Sequence, residues 1–355
     1  MFIEIANELS AYLQRTEIID ILRLAADTMR EGRHFVCTEN REFAEQIVTT
    51  MKVTDSRTAC FFLGVCDRFS EIAGQKHKVT TYLSIVWGDR IERNGNCIKV
   101  GHKIASNSNF WRPAQFIVEY LDDAKTYEAI TNTLKGIPLN FEPVPGGGAP
   151  TYAVVEEILR ENYIVFTIVD SDKHFPNADL GQTAMHILDS KLIRRHLLHE
   201  LLILNVCEVE NLFFSKSIWN DFMNDAQSRR ISSIAEDAER KESDIRRYMD
   251  VKSGMSYKQF DSNSYIKNAV TITPPNCPKR MEHDGICQKC DKCTCRVIQG
   301  IGRYTSRLTR EKDFIDKMHG YYEGLPPFIA EDWNNVAEAM STWACGKKIA
   351  VVECR

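Results

Sequence analysis

The chain has 355 residues, 43% of them hydrophobic, and a formal net charge of −4. That length allows two domains and a sizeable core, and that apolar fraction excludes an intrinsically disordered chain. The balance of charge excludes a global basic signature, so any contact with nucleic acid must be a local patch.

Residues 1–110 read as an α+β domain without a chemical motif. Apolar residues recur at helical spacing over 3–30, from Ile5 and Leu9 to Leu24 and Ala25. A short strand is expected at 34–37 and a helix over 40–51, with Asn40 as its cap. Strands are expected at 59–65 and 80–87, and Asn94-Gly95-Asn96 reads as a hairpin turn between 89–92 and 97–100. The start, Met1-Phe2-Ile3-Glu4, has no signal-peptide pattern and no run reaches membrane-spanning length. A cytoplasmic protein without membrane contact is therefore expected.

Residues 111–216 alternate strand and helix: strand 115–119, helix 122–135, strand 139–144, helix 150–161, strand 163–169, a longer helix over 180–200, and strand 201–206. Such alternation predicts an α/β fold with a parallel sheet flanked by helices, whose ligands bind at the carboxyl ends of the strands. Glu119, Gly146, Asp170 and Glu208 all fall at that edge. Residues 217–355 form a C-terminal region, predicted helical and charged over 216–262. Glu239 to Glu242 and Asp244 to Arg247 are expected largely on an exposed face. A cysteine cluster follows, then more helix, then a strand at 348–352.

The acidic residues carry the chemistry. Asp170 and Asp172 lie two apart after an apolar strand, and so do Glu208 and Glu210. Carboxylates gathered at one sheet edge repel unless neutralised, and Mg²⁺ or Mn²⁺ suits such oxygen ligands. Two such ions could clamp the attacking and leaving oxygens of a phosphodiester. Gly146-Gly147-Gly148 would let backbone approach a phosphate, and Lys173 or His174 could position one. The competing readings are plain: Asp-x-Asp as a cap or turn, the glycines and Lys173-His174 as solvated loops, Glu210-Asn211 as a helix cap.

This order of Glu119, Asp122-Asp123, glycine turn, Asp170-x-Asp172 and then Glu208-Val209-Glu210-Asn211 resembles a Toprim domain of the nuclease branch. That branch includes the OLD-type nucleases and the effector of the PARIS antiphage system. The resemblance covers about 100 of the 355 residues. It implies a metal-dependent nuclease cleaving DNA or RNA, tRNA included, in antiviral defence. Glu119 would be acid/base or metal ligand, Asp170 and Asp172 metal ligands, Glu210 or Glu208 a second-site ligand, and Asp123 an auxiliary ligand; Gly147 and Lys173 would face the phosphate. Tyr120 stands where Toprim domains usually have glycine. The chain contains no Gly-x-x-x-x-Gly-Lys-Ser/Thr, so ATP hydrolysis would need a separate ATPase partner. A homo-oligomer is also expected. The rival readings are an inactive Toprim-fold regulatory or scaffold subunit, and a nucleotide-processing phosphotransferase or hydrolase.

Five of the twelve cysteines, Cys277, Cys287, Cys290, Cys293 and Cys295, crowd into one short segment with His283. Cys287-x-x-Cys290-x-x-Cys293 has the spacing that places thiolates around Zn²⁺, with Cys277, Cys295 or His283 to complete the set. An iron–sulfur cluster is the alternative. The segment is either a structural staple or a docking knuckle for nucleic acid or a partner. Most of the remaining cysteines read as buried small hydrophobes. Arg303-Tyr304-Thr305-Ser306-Arg307 offers charge and an aromatic ring for stacking on bases, or is simply a solvated face.

Overall fold

A computed structural model describes residues 1–223, 225–270 and 296–347. The cysteine cluster with His283 and the strand expected at 348–352 lie outside these residues. The chain forms two compact units: Met1–Ile168 with His186–Leu202 and Asn335–Arg355, and Val169–Met185 with Ile203–Asn334. Each takes pieces from more than one of the segments 1–110, 111–216 and 217–355.

In the first unit, β1 (Phe2–Ile5) is followed by α1 (Thr16–Arg30), β2 (Phe35–Thr38), α2 (Arg41–Thr54), α3 (Ser56–Asp67) and α4 (Phe69–Gly74). Next come β3 (Tyr82–Val86), β4 (Ile91–Asn94), β5 (Cys97–Gly101) and α5 (His102–Ala105). The sheet order is β2-β1-β3-β5-β4; all pairs are parallel except the β4–β5 hairpin, which turns at Gly95 with a positive φ of 61°. Asn40 caps α2 as expected, its side chain accepting the Phe43 N–H at 2.8 Å.

Two expectations fail here. Residues 59–65 are not a strand but lie inside α3, which Asp55 starts by accepting the Arg57 and Thr58 N–H groups. The helical spacing over 3–30 hides β1, a central strand buried on both faces that carries no two-residue alternation to betray it.

The second sheet begins with β6 (Ala114–Val118), then α6 (Leu121–Lys135), β7 (Phe141–Pro145), α7 (Thr151–Arg160), β8 (Val165–Val169), α8 (Gln182–Asp189), α9 (Lys191–Arg195) and β9 (His199–Ile203). Its order is β7-β6-β8-β9, with β6 parallel to both neighbours. Val165 donates to the Leu198 carbonyl, and Leu204 to that of Val169, so β9 runs the same way. This is the expected α/β arrangement. Phe116 centres the core: its ring stacks on Phe166 at 4.2 Å and meets Phe141 edge-on at 5.4 Å. The single helix expected over 180–200 is instead two, because Ser190 caps a new turn by accepting the Ile193 N–H.

The second unit contains α10 (Lys216–Phe222), α11 (Ala226–Glu239), β10 (Gly254–Ser256), α12 (Tyr257–Ser262), α13 (Ser264–Ala269), β11 (Arg296–Gln299), α14 (Thr305–Leu308), α15 (Lys312–Tyr322) and the N-terminal part of α16 (Pro327–Trp343), up to Asn334. β10 and β11 pair antiparallel, so 216–262 is not wholly helical. Nor is its basic run solvated throughout. Arg246 is 1% exposed, bonds Glu239 through Nε at 2.6 Å, and lays its guanidinium over Phe214. Among the described residues, no helix is long and apolar enough to cross a membrane.

One buried carboxylate fixes the segment that leaves β9. Asp332, fully buried, accepts the N–H groups of Asn205 at 2.9 Å and Val206 at 2.8 Å. Asp332→Ala leaves both donors without a partner. A loss of about 2–4 kcal/mol is expected, since each buried unsatisfied group costs ~1–3 kcal/mol. Urea unfolding of the variant against the parent checks this.

Candidate functional site

Each acidic segment takes its position from backbone geometry. After β8 the chain makes a tight excursion in which Asp172 adopts a left-handed conformation, φ 54°. Such a φ is uncommon outside glycine and is held only where the surroundings enforce it. Here they do. The Asp172 N–H donates to the Cys207 carbonyl at 2.9 Å, and the Ser171 hydroxyl to the Val206 carbonyl at 2.7 Å. Gly181 donates to the Ser171 carbonyl, and a Cβ at Gly181 would overlap the Asp172 carboxylate. The Cys207 N–H in turn reaches the Arg247 carbonyl at 2.8 Å. Three chain segments, 170–172, 206–210 and 246–252, are thereby stitched together within the second unit.

The segment 208–211 is fixed as firmly. Asn211 accepts the Glu208 N–H at 3.1 Å and donates to the carbonyls of Arg246 and Met249. The Tyr304 hydroxyl, which accepts a bond from the Trp219 indole, donates to the Glu210 carbonyl at 2.6 Å. Tyr304 is buried, so the base-stacking reading of Arg303 to Arg307 loses its aromatic ring.

These bonds bring together Asp170, Asp172, Glu208 and Glu210, two pairs far apart in sequence. Asp170 is 5% exposed, Glu208 8% and Glu210 1%. Two residues that sequence reasoning did not single out join them. Lys252 places its Nζ 2.8 Å from Glu208 Oε1 and 3.8 Å from Glu210 Oε2. Asp250 lies two residues earlier. An Asp and a Lys two apart before Gly254, ending a charged segment, were the only hint of this in the sequence.

The electrostatics record the crowding. Burial pushes the Glu208 carboxyl up to about 7, and Asp250 and Asp172 add to it against the pull of Lys252. Burial likewise raises Asp172, with Lys252 and His174 opposing and Asp250 assisting. Burial works against the charge of Lys252, but Glu210, Glu208 and Asp170 outweigh it and hold the ammonium above the usual lysine range. Buried Cys207, pushed well up by burial and by the surrounding carboxylates, remains a thiol; His174 Nδ1 lies 3.6 Å from its sulfur. Glu208 Oε2 is buried and has no hydrogen-bond partner among the described residues. Among those residues, no three His, Cys, Asp or Glu side chains are set as the shell of one ion; the Lys252 ammonium stands between the two glutamates.

The remaining candidates, Lys173 apart, lie in the first unit. Glu119 opens the loop after β6, the neighbour of β8 in the sheet. Asp123 Oδ2 accepts the Tyr120 N–H at 3.1 Å and so closes the first turn of α6. The glycine turn packs on the same loop: Gly146 donates to the Val118 carbonyl at 2.7 Å and Gly147 to that of Glu119 at 3.2 Å. Those two N–H groups are thus engaged within the fold rather than aimed at a phosphate. A Cβ at Gly146 would overlap Thr151, and Gly147 and Gly148 both have positive φ, so glycine is needed for the turn itself. Lys173 follows Asp172, its N–H directed at the Ser171 hydroxyl at 3.4 Å.

Comparison with protein-family models, with curated proteins and with solved structures finds no match.

The raised Glu208 sets a pH dependence. Its folded value lies above the ordinary 4.5, so its contribution is full below pH 4.5 and is lost as pH rises through about 7. In chelator, stability is expected to fall across that window, and Glu208→Gln to flatten the fall. Urea midpoints at pH 5 and pH 7.5 for the two proteins check it.

Proposed function

We propose that the chain is a divalent-metal-dependent hydrolase of phosphodiester bonds in nucleic acid. The observation that carries this reading is the buried, unpartnered Glu208 Oε2 set among Asp170, Asp172, Glu210 and Asp250. A buried carboxylate oxygen without a donor costs more than one that binds a cation. Asp170, Asp172, Glu208 and Glu210 supply hard oxygens, the donor type that Mg²⁺ and Mn²⁺ take. A bound divalent ion would polarise the phosphodiester and acidify water. The chain's own part is to hold the carboxylates rigidly: Asp332, Asn211 and Tyr304 fix the 205–211 backbone, while the strained turn at Asp172 keeps its side chain against Gly181.

Glu119 as acid/base or ligand, the nuclease branch of the Toprim fold and a part in antiphage defence with a separate ATPase come from the resemblance. Zinc held by four of Cys277, Cys287, Cys290, Cys293, Cys295 and His283 belongs to the same proposal, on spacing alone.

One observation favours a second reading, an inactive regulatory subunit. Lys252 Nζ, 2.8 Å from Glu208, already supplies one counter-charge, as a protein that had given up its ion would. A cleavage assay separates the two. Purified chain is incubated with plasmid, single-stranded DNA and tRNA, with and without Mg²⁺ or Mn²⁺. Metal-dependent cleavage is expected, and Asp170→Ala should reduce it by about 100-fold or more, beyond the ~10–100-fold cost of losing a group that merely orients a ligand. Turnover unchanged in that variant refutes the assignment, and no cleavage under any condition favours the regulatory reading.

A further inference from the structure

His174 and Asp250 each face two ways. On one side they meet the carboxylate cluster, His174 against Cys207 and Asp250 two residues before Lys252. On the other they line a cavity of about 160 Å³ with Phe175, Met255, Gln259 and Ser262. The volume lies below the ~300–1,000 Å³ of pockets that enclose drug-sized ligands, so the occupant is a group of about one ring system. Its walls combine an apolar surface with hydrogen-bonding groups. Phe175 keeps 39% of its surface exposed and Met255 is buried.

The polar groups are set rigidly. Asp250 Oδ1 accepts the Ser253 and Gly254 N–H groups, which leaves Oδ2 for a ligand. The Asn263 side chain donates to the His174 carbonyl at 3.0 Å and accepts the Ile266 N–H. It thus anchors the backbone of His174, whose Nδ1 lies 3.6 Å from the Cys207 sulfur. A carboxylate in the wall repels a free phosphate and accepts from an amino group. A flat apolar surface with an acceptor at its edge suits a heteroaromatic ring that carries donors.

We propose that this cavity receives one amino-bearing nucleobase (cytosine, adenine or guanine), unstacked from the strand whose backbone lies at the carboxylates. The inference rests on the phosphodiester reading above. The base stacks on Phe175, and Asp250 accepts from its exocyclic amine. Proteins can hold a base outside its stack, as enzymes that do chemistry on a base do, and stacking on an aromatic side chain strengthens such binding. The cavity would make cleavage selective for the base adjoining the reacting phosphate.

The test uses the full chain in chelator with neutral nucleosides, so that neither metal nor phosphate contributes. Cytidine, adenosine, guanosine and uridine are titrated by ligand-observed NMR. The amino-bearing nucleosides are expected to bind about tenfold tighter than uridine. Phe175→Ala and Ser262→Trp, both at exposed positions, should each weaken that binding about tenfold or more, one by removing the stacking surface and the other by filling the mouth. Absence of binding by all four nucleosides, or affinities unchanged in both variants, overturns the assignment. The cleavage assay run in parallel keeps the two ideas apart. Cleavage without nucleoside binding removes the base pocket and leaves hydrolysis standing. Selective binding without cleavage sustains the pocket and removes hydrolysis.

Discussion

Buried negative charge must be met by positive charge, and the second unit is organised around that constraint. Five carboxylates, Asp170, Asp172, Glu208, Glu210 and Asp250, act on one another or on the ammonium of Lys252. Exposed ion pairs such as Arg68–Glu71 or Lys125–Asp122 are worth only ~0–1 kcal/mol. The Lys252 pair is different, because leaving a buried charge uncompensated costs about 3–5 kcal/mol. Lys252 therefore stabilises the fold. Burial and the neighbouring Asp250 and Asp172 still push Glu208 up to about 7 against the pull of Lys252, and its Oε2 has no hydrogen-bond partner among the described residues. The proposed divalent cation would give that oxygen a partner.

The rest of the second unit serves to keep the carboxylates where they repel. Side chains alone would swing apart, so the constraint is written into the backbone: Asp172 to Cys207, Cys207 to Arg247, Asn211 to Arg246 and Met249, Asp332 to Asn205 and Val206. Each of these bonds ties a loop after one strand to a distant segment. The left-handed turn at Asp172 and the glycine at 181 are the local cost of that arrangement. Strain beside an unsatisfied carboxylate oxygen is the ground for the functional proposal.

Much of this was legible in the sequence because it depends on local rules. The apolar run ending at Val118 and the one ending at Val169 are strands, and the turn at Gly146 and the cap at Asn40 are where side-chain chemistry puts them. The pairing of Asp170 and Asp172 with Glu208 and Glu210 was anticipated from strand alternation, since parallel strands deliver their loops to one edge. Lys252 and Asp250 were not legible. They come from a charged segment with helical composition, and only tertiary hydrogen bonds bring them to the carboxylates. Arg246 was misread for the same reason: its burial depends on Glu239 and Phe214 rather than on its neighbours in sequence. The helix over 59–65 was misread because short apolar runs do not separate helix from strand, and the deciding signal was the cap at Asp55. Asp123 and Gly147 carry sequence signals that local structure already explains, a helix start and a positive φ.

The two functional readings differ in one physical respect, whether Lys252 completes the charge balance or only part of it. Calorimetric titration of the chain with Mn²⁺ near pH 8, where Glu208 is ionised, measures that directly. Saturable binding that Glu208→Gln weakens about tenfold or more is expected if the carboxylates hold an ion. Heat of dilution alone, with no saturable binding by the parent chain, would contradict the account.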